Sequence, residues 1–385
     1  MTELRWNPTV REWVSTASHR QDRPLMPADW CPFCPGSGRV PDNYDCYIYP
    51  NDFAAFSIPP PEPAIAGDDF YRVAPSLGKC DVVLYHPDHN TSLPQLSLDH
   101  LVKLVQIWRK RFGELKAMPG IRYVLIFENK GAVIGVTMPH PHGQIYAFPF
   151  IPPRLKRELE AARAHQRAKR KCLFCDILKK ERRDGRRIVA ENETFTAFVP
   201  FYARWPYEVH IFSRRHLGSL DQLRPSVESH VIPAKLVLRE GGGAGIHMAE
   251  VDPRPSASSG QAVRGGDEGS TFVSKGGLQP HDHSEERGLA EILKWVTLKY
   301  DNLYQFSFPY MMLMHQAPTK GRFPYFHFHI EFYPPHRSKD KLKYLASVET
   351  GSGSFLNDSL AEEKAAELRG VPPVQREELA AHGGN

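Results

Sequence analysis

Apolar residues recur with helical spacing in two places along the chain. Leu101, Leu104, Val105, Trp108 and Phe112 follow i, i+3, i+4, i+7 intervals, and Leu289, Ile292, Leu293, Val296 and Tyr300 do the same. Each stripe predicts an amphipathic helix with one buried face. Elsewhere the apolar residues fall in short runs rich in β-branched and aromatic side chains, at 123–127, 144–148 and 325–333. Such runs predict strands. Strands joined by hairpins, with a helix crossing each set, predict an α+β fold on a mainly antiparallel sheet.

The pattern occurs twice, in the same order. A C-x-x-C pair opens each copy, Cys31-Pro-Phe-Cys34 and Cys172-Leu-Phe-Cys175. Asn51-Asp-Phe-Ala-Ala-Phe56 then matches Asn192-Glu-Thr-Phe-Thr-Ala-Phe198, and His89-Asn-Thr-Ser-Leu matches His216-Leu-Gly-Ser-Leu. A helix follows in each, and each copy ends in alternating histidines, His140-Pro-His142-Gly-Gln144 and His327-Phe-His329-Ile-Glu331. Five matches in one order imply duplication: an N-terminal half at 1–165, a C-terminal half at 166–350 and a tail at 351–385. His89 to His140 spans 51 positions and His216 to His327 spans 111, so the second half carries about 60 extra residues. They fall at about 229–284, in a stretch rich in Gly, Ser and Pro with few large apolar residues. This composition predicts a disordered insertion. Its His247, His281 and His283 read as residues of a solvated loop rather than metal ligands.

Charge and cysteines narrow the function. The 385 residues carry 49 Lys+Arg against 44 Asp+Glu, a net charge of +5. That mild excess suits an anionic small-molecule substrate and is too scattered for nucleic acid. The basic run at 167–171 reads as a solvated helix face. No apolar stretch approaches a membrane span, and no apolar segment follows Met1-Thr-Glu-Leu-Arg-Trp6, so no membrane association and a cytoplasmic location are expected. In a reducing compartment a C-x-x-C pair reads as a metal knuckle or a redox dithiol. Cys46 and Cys80, outside the pairs, read as buried free thiols.

On a strand, His140, His142 and Gln144 would share one face. Two imidazoles and an amide suit phosphoryl-type chemistry: one imidazole attacks phosphorus while its neighbours orient it and hold phosphate oxygens. Gly143 would leave room for a ligand against the backbone. Cys31, Cys34, His89 and His140 make a Cys2His2 set, enough for a closed, structural zinc site. His86 lies nearby, but the repeat register selects His89. By the same register Cys172, Cys175, His216 and His327 make a second zinc set.

The run Phe127-Glu-Asn-Lys-Gly-Ala-Val-Ile-Gly-Val-Thr-Met-Pro-His-Pro-His-Gly-Gln144 resembles the active-site stretch of the galactose-1-phosphate uridylyltransferase family, within the histidine triad superfamily. Asn51-Asp-Phe-Ala-Ala55, Phe308-Pro-Tyr310 and Phe332-Tyr-Pro-Pro335 share the resemblance. It implies a duplicated histidine-triad-like fold, a homodimer, and uridylyl exchange among UDP-glucose, UDP-galactose and the hexose 1-phosphates. Carried over by position, His142 is the nucleophile and Gln144 contacts the transferring phosphate. Hydrolytic members of the superfamily typically carry a third histidine at the Gln144 position. Arg20 and Arg23 match phosphate-side arginines, Asn51 and Asp52 the nucleoside pocket, and Asn129 and Thr137 phosphate contacts. Thr137 stands where serine is usual and keeps the hydroxyl.

The resemblance also implies a metal site late in the chain, for iron or a second zinc, at Glu158, His315, His329 and Glu331, with a plain salt-bridge and hydrogen-bond cluster as the alternative. Glu331 replaces a histidine there, and a carboxylate can still ligate zinc or iron. This set shares no residue with the second Cys2His2 set, so both can coexist. Because Glu331 also replaces the motif glutamine, only the first half is expected to be catalytic. Lys343 and Glu349 match hexose-contacting positions, with surface residues on a strand as the alternative. Phosphorolysis of ADP-glucose or dinucleoside polyphosphates is the rival activity. A zinc-stabilised nucleotide-binding protein without catalysis is the rival from another class.

Overall fold

The computed structural model describes residues 2–22, 30–226 and 284–376. Apart from Ser284, the insertion expected at about 229–284 lies outside them, as does Arg23. The first half supplies β1 (Thr2–Asn7), β2 (Glu12–Ala17), β3 (Tyr47–Pro50), β4 (Val73–Pro75), β5 (Lys79–Leu84), α1 (Leu98–Ala117), β6 (Tyr123–Lys130) and β7 (His142–Phe148). Helices α2 (Pro153–Lys169) and α3 (Leu173–Asp184) follow. The second half adds β8 (Ile188–Glu191), β9 (Phe195–Phe198), β10 (Val209–Ser213), α4 (Glu285–Leu303), β11 (Tyr310–His315) and β12 (His329–Tyr333). The short hairpin of β13 (His336–Ser338) and β14 (Lys341–Leu342) and helix α5 (Ala361–Gly370) complete the chain.

Nine strands form one sheet in the order β3-β5-β7-β6-β11-β12-β10-β9-β8. Its pairings are all antiparallel. The order reads as two copies of one unit: β5-β7-β6 meets β11-β12-β10 edge to edge. The seam is β6 against β11, with Phe127 opposite Leu313 and Asn129 opposite Met311. The duplication extends to small features. Asn51 Oδ1 accepts from the Phe53 amide and Asn192 Oδ1 from the Thr194 and Phe195 amides, the same side-chain turn in each half. Ser97 caps α1 and Ser284 caps α4 through the amide three residues on.

Both predicted apolar stripes are buried: Leu101, Leu104, Val105, Trp108 and Phe112 on α1, and Leu289, Ile292, Leu293, Val296 and Tyr300 on α4. The two helices pack side by side on one face of the sheet and form the main core with Ile126, Ile145, Met312 and Ile330. Each such side chain contributes about 1.5–3 kcal/mol by leaving water. Helices α2 and α3 cover the other face over the second half, where Leu155, Leu159, Phe174 and Leu178 meet Phe198, Phe212 and Phe326. Helix α2 runs through residue 165, so the halves are joined by a helix as well as by the sheet. Its last turn carries Arg167 and Lys169, exposed as expected.

Two strand expectations are corrected. The strand expected at 123–127 continues to Lys130, because β11 pairs it past Phe127, where its pairing with β7 ends. The run 325–333 is a strand only from His329. Before that, a turn closes from the Phe326 amide to the Phe323 carbonyl, and the Phe328 amide bonds to Leu217, outside the ladder.

Candidate active site and metal centres

Strand β7 alternates in exposure. His142, Gln144 and Tyr146 are half-buried on one face, while Gly143, Ile145 and Ala147 are buried against α1. His140 is in a bend just before the strand, not on it. His142 Nδ1 is 2.8 Å from the His140 carbonyl, so the ring proton sits on Nδ1 and donates to that oxygen. The nucleophilic lone pair is therefore on Nε2. Phe33 lies edge-on to both His140 and His142.

Gly143 has a different reason from the expected one. A Cβ there would lie 2.2 Å from Tyr85 Oη and 3.1 Å from the Phe127 carbonyl. The missing side chain makes room for Tyr85 on the core side of the strand, not for a ligand on the other face.

Cys31, Cys34, His89 and His140 converge, their donor atoms all within 4.8 Å of one another. Cys34 Sγ is 3.4 Å from His89 Nδ1, and Cys31 Sγ and Cys34 Sγ are 3.8 and 3.7 Å from His140 Nδ1. His140 Nε2–H is shared between the His86 carbonyl and Tyr44 Oη, each at 2.9 Å, and the Tyr44 hydroxyl donates to Phe33 O. This outer bond turns the Nδ1 lone pair towards the thiols. Burial pushes the His140 imidazole down to about 4, which keeps it in the neutral, ligating form. Two thiols and two imidazoles so placed fit a tetrahedral zinc ion. His86 contributes its carbonyl to the outer bond and is not among the converging donors.

The second half repeats this geometry. Cys172, Cys175, His216 and His327 converge within the same limit. Cys175 Sγ is 3.3 Å from both His216 Nδ1 and His327 Nδ1, and His327 Nε2–H donates to the Ser213 carbonyl at 2.9 Å. Hydrogen bonds from Cys175, His216 and His327 drive the Cys172 thiol far down, so the set favours a thiolate, as a metal would. Outside the two sets, Cys80 is buried, and Cys46 is partly buried beside the Tyr85 carbonyl.

Glu158, His315, His329 and Glu331 form a third converging group. His329 Nδ1–H donates to the His327 carbonyl at 2.8 Å, as His142 does to His140. Unlike His142, His329 is buried, with Phe174, Phe212 and Phe326 around it. Its Nε2 lies 3.9 Å from Glu158 and 3.6 Å from Glu331, and His315 Nε2 lies 3.7 Å from Glu331. These gaps are too long for hydrogen bonds, and His315 Nε2 is buried with no partner. Such an orphaned donor set fits a cation. The carboxylates are also paired, with Arg154 2.7 Å from Glu331 and His315 Nδ1 3.0 Å from Glu158.

The expected substrate residues are placed as follows. Arg20 Nη1 reaches the Phe53 carbonyl at 3.0 Å and Tyr146 Oη at 3.3 Å, which brings it to the face of His142 and Gln144. Asn51 forms its side-chain turn at the end of β3, and Asp52 binds Arg39 and Tyr49. Asn129 shares the Phe127 face of β6, and Phe127 touches Tyr146. Thr137 is exposed on the loop that leads to His140. Lys343 and Glu349 pair with each other at 3.1 Å, and Lys343 also donates to the Leu356 carbonyl. Lys343 is buried, so the surface-strand alternative does not describe it. Sequence reasoning missed Tyr146 and Phe33. Tyr146 was findable as the next residue on the His142 face.

Among the described residues, no helix is long and apolar enough to cross a membrane. The N-terminal-domain model of galactose-1-phosphate uridyl transferase matches residues 1–152, and the C-terminal-domain model matches 158–380. The chain is 37% identical to the galactose-1-phosphate uridylyltransferase of Thermotoga maritima, over 96% of this chain and 98% of that one. It is 29% identical to the Saccharomyces cerevisiae enzyme of the same name, over 95% and 93%. A solved uridylyltransferase structure superposes with a TM-score of 0.74 at 30% identity, covering 96% of this chain and 98% of that one. By these matches, with its motifs and duplicated sheet, the chain belongs to the galactose-1-phosphate uridyl transferase family.

Proposed function

We propose that this protein moves the uridylyl group of UDP-glucose to galactose 1-phosphate through a covalent intermediate on His142. The observation that carries the reading is the bond from His142 Nδ1–H to the His140 carbonyl on a half-buried strand face. His142 Nε2 attacks the α-phosphorus, a nitrogen–phosphorus bond forms, and the bond to glucose 1-phosphate breaks. A phosphate oxygen of galactose 1-phosphate then attacks the same phosphorus, giving UDP-galactose and restoring the imidazole. Gln144, one pleat along, donates its amide to the phosphoryl oxygens, where charge develops. By position in the family motifs, Arg20 and Arg23 would serve the phosphates, Asn51 and Asp52 the nucleoside, Asn129 and Thr137 the transferring group, and Lys343 and Glu349 the hexose.

Cys31, Cys34, His89 and His140 would hold zinc, and Cys172, Cys175, His216 and His327 a second zinc. All four ligands come from protein in each set, so the metal's contribution is structural. Glu158, His315, His329 and Glu331 would hold iron or zinc. The protein works as a homodimer in the reducing cytoplasm, where none of its six cysteines is expected to form a disulfide. Sedimentation of the purified protein tests the dimer.

The decisive test is transfer of radiolabel from uridine-labelled UDP-glucose to protein, with exchange of glucose 1-phosphate. Label should map to His142 and vanish in His142→Gly. Undiminished labelling of that variant would refute the nucleophile. Turnover of ADP-glucose with phosphate, and none of UDP-glucose, would refute the substrate.

A further inference from the structure

Glu128 is a carboxylate placed in the main core. It lies on β6 between Ile126 and Lys130 on the core-facing side, and it is 5% exposed. A carboxyl there costs stability unless its oxygens are bonded. Two tyrosines bond them, one from each half: Tyr310 Oη donates to Oε1 at 3.1 Å and Tyr85 Oη to Oε2 at 3.3 Å. Lys130 is the nearby cation, and it is held 2.7 Å from Asp301 of α4. An apolar residue would fill this place at lower cost, so the carboxyl calls for a reason.

Tyr85 supplies the reason. Its amide donates to the Pro141 carbonyl at 3.0 Å, immediately before His142. Its hydroxyl lies directly beneath Gly143, immediately after His142, where a Cβ would come within 2.2 Å. Its ring meets Trp108 edge-on, 5.7 Å between centroids, and its carbonyl accepts from His100 Nε2 at 2.6 Å. Tyr85 thus contacts the backbone on both sides of His142, and Glu128 fixes the end of its ring.

We infer that Glu128 is a positioning residue for His142, acting through Tyr85, whose hydroxyl it holds beneath Gly143. The inference rests on His142 being the nucleophile. In-line attack tolerates little misplacement, and a shift of about 1 Å costs on the order of a hundredfold in rate. Tyr310 belongs to the second half, so the seam between the halves also sets the height of the catalytic strand. The ionised carboxylate accepts from both tyrosines. The protonated form turns one oxygen into a donor, so the tyrosine facing it must accept instead and its hydroxyl reorients. Burial pushes the Glu128 carboxyl up to about 7, offset by Lys130, Tyr310 and Tyr85 and reinforced by Asp301.

The test uses the full chain with Glu128→Gln, Tyr85→Phe, Tyr310→Phe and the Glu128→Gln/Tyr85→Phe pair. Single-turnover uridylylation, KM for UDP-glucose and the thermal midpoint are measured for each. Glutamine mimics the protonated carboxyl. Glu128→Gln should lower the labelling rate about tenfold, with KM within about twofold and no loss of thermal midpoint at pH 8. The double variant should be no slower than the slower single, because both act through one link. The ratio of wild-type to Glu128→Gln rates should fall towards one below pH 7. Tyr310→Phe, which leaves the carboxyl in place, should slow labelling in the same way. Wild-type labelling rates in Glu128→Gln and Tyr310→Phe, or additive losses in the double variant, would overturn the inference while leaving His142 in place. Wild-type label mapping to a residue other than His142 would overturn both.

Discussion

Replacing Gly143 by alanine separates two explanations of the HPHGQ glycine. If the glycine admits a ligand, Gly143→Ala weakens substrate binding and leaves the fold untouched. The structure gives the opposite expectation. The added Cβ would stand 2.2 Å from Tyr85 Oη, about 1.2 Å short of ordinary contact, and 3.1 Å from the Phe127 carbonyl. The backbone oxygen is fixed in the ladder, so Tyr85 has to move. Overpacking of this kind costs about 1–3 kcal/mol. Pulling the hydroxyl from buried Glu128 adds about 1 kcal/mol more. The total is about 2–4 kcal/mol, readable as a lower denaturant midpoint at unchanged slope. Tyr85→Phe removes the atom in closest conflict and should return part of that loss in the double variant, although phenylalanine alone is destabilising. KM for UDP-glucose in the folded variant should stay near wild type. Unchanged stability with a raised KM, or no compensation by Tyr85→Phe, would refute the packing explanation.

Two further outcomes follow from the same geometry. Cys34→Ser should lower bound zinc by about one equivalent per chain, measured by elemental analysis, and should lower the thermal midpoint by untying the residue 31–34 loop from β7. Cys175→Ser should do the same at the second set, and unchanged metal content in either variant would refute that set. The raised Glu128 pKa carries a sign for stability. The folded protein keeps the Glu128 proton up to about 7, whereas the unfolded chain releases it near 4.5. Stability from this group is therefore full below the unfolded value and is lost as pH rises from 4.5 to 7, by about 3 kcal/mol. Glu128→Gln should remove that slope from the pH dependence of unfolding, and an identical slope in the variant would contradict the shift.

Local pattern was legible where a residue's burial follows from its spacing. The two stripes from Leu101 and Leu289 predicted α1 and α4, and every residue in them is buried. The repeat register paired His89 with His216 and His140 with His327, and the structure gathers both Cys2His2 sets. Helices α3 and α5 and the small sheet of β1, β2 and β4 were not read from the sequence, and of α2 only the basic end was. The stripe of α2 is diluted by charge, with Leu155, Leu159 and Ala162 as its only buried residues. The strand that starts at Tyr123 was read too short, because its last three residues pair with β11, which is 180 or more positions away in sequence.

By itself the sequence determined the duplication, the donor residues of the two Cys2His2 sets and the identity of the HPHGQ motif. Those properties lie in residue types and short spacings, which no packing can alter. Only the tertiary structure decided which of two equivalent histidines faces a usable surface. His142 and His329 make the same bond to the carbonyl two residues back. Helices α2 and α3 close over the second and bury it among Phe174, Phe212 and Phe326, while the face of β7 stays half-exposed. The structure also reassigned Gly143 from the ligand side to the core side, because a strand's two faces are told apart only by what packs on them. A glycine leaves no side chain to mark its face, and the occupant of the vacated space, Tyr85, lies 58 positions away.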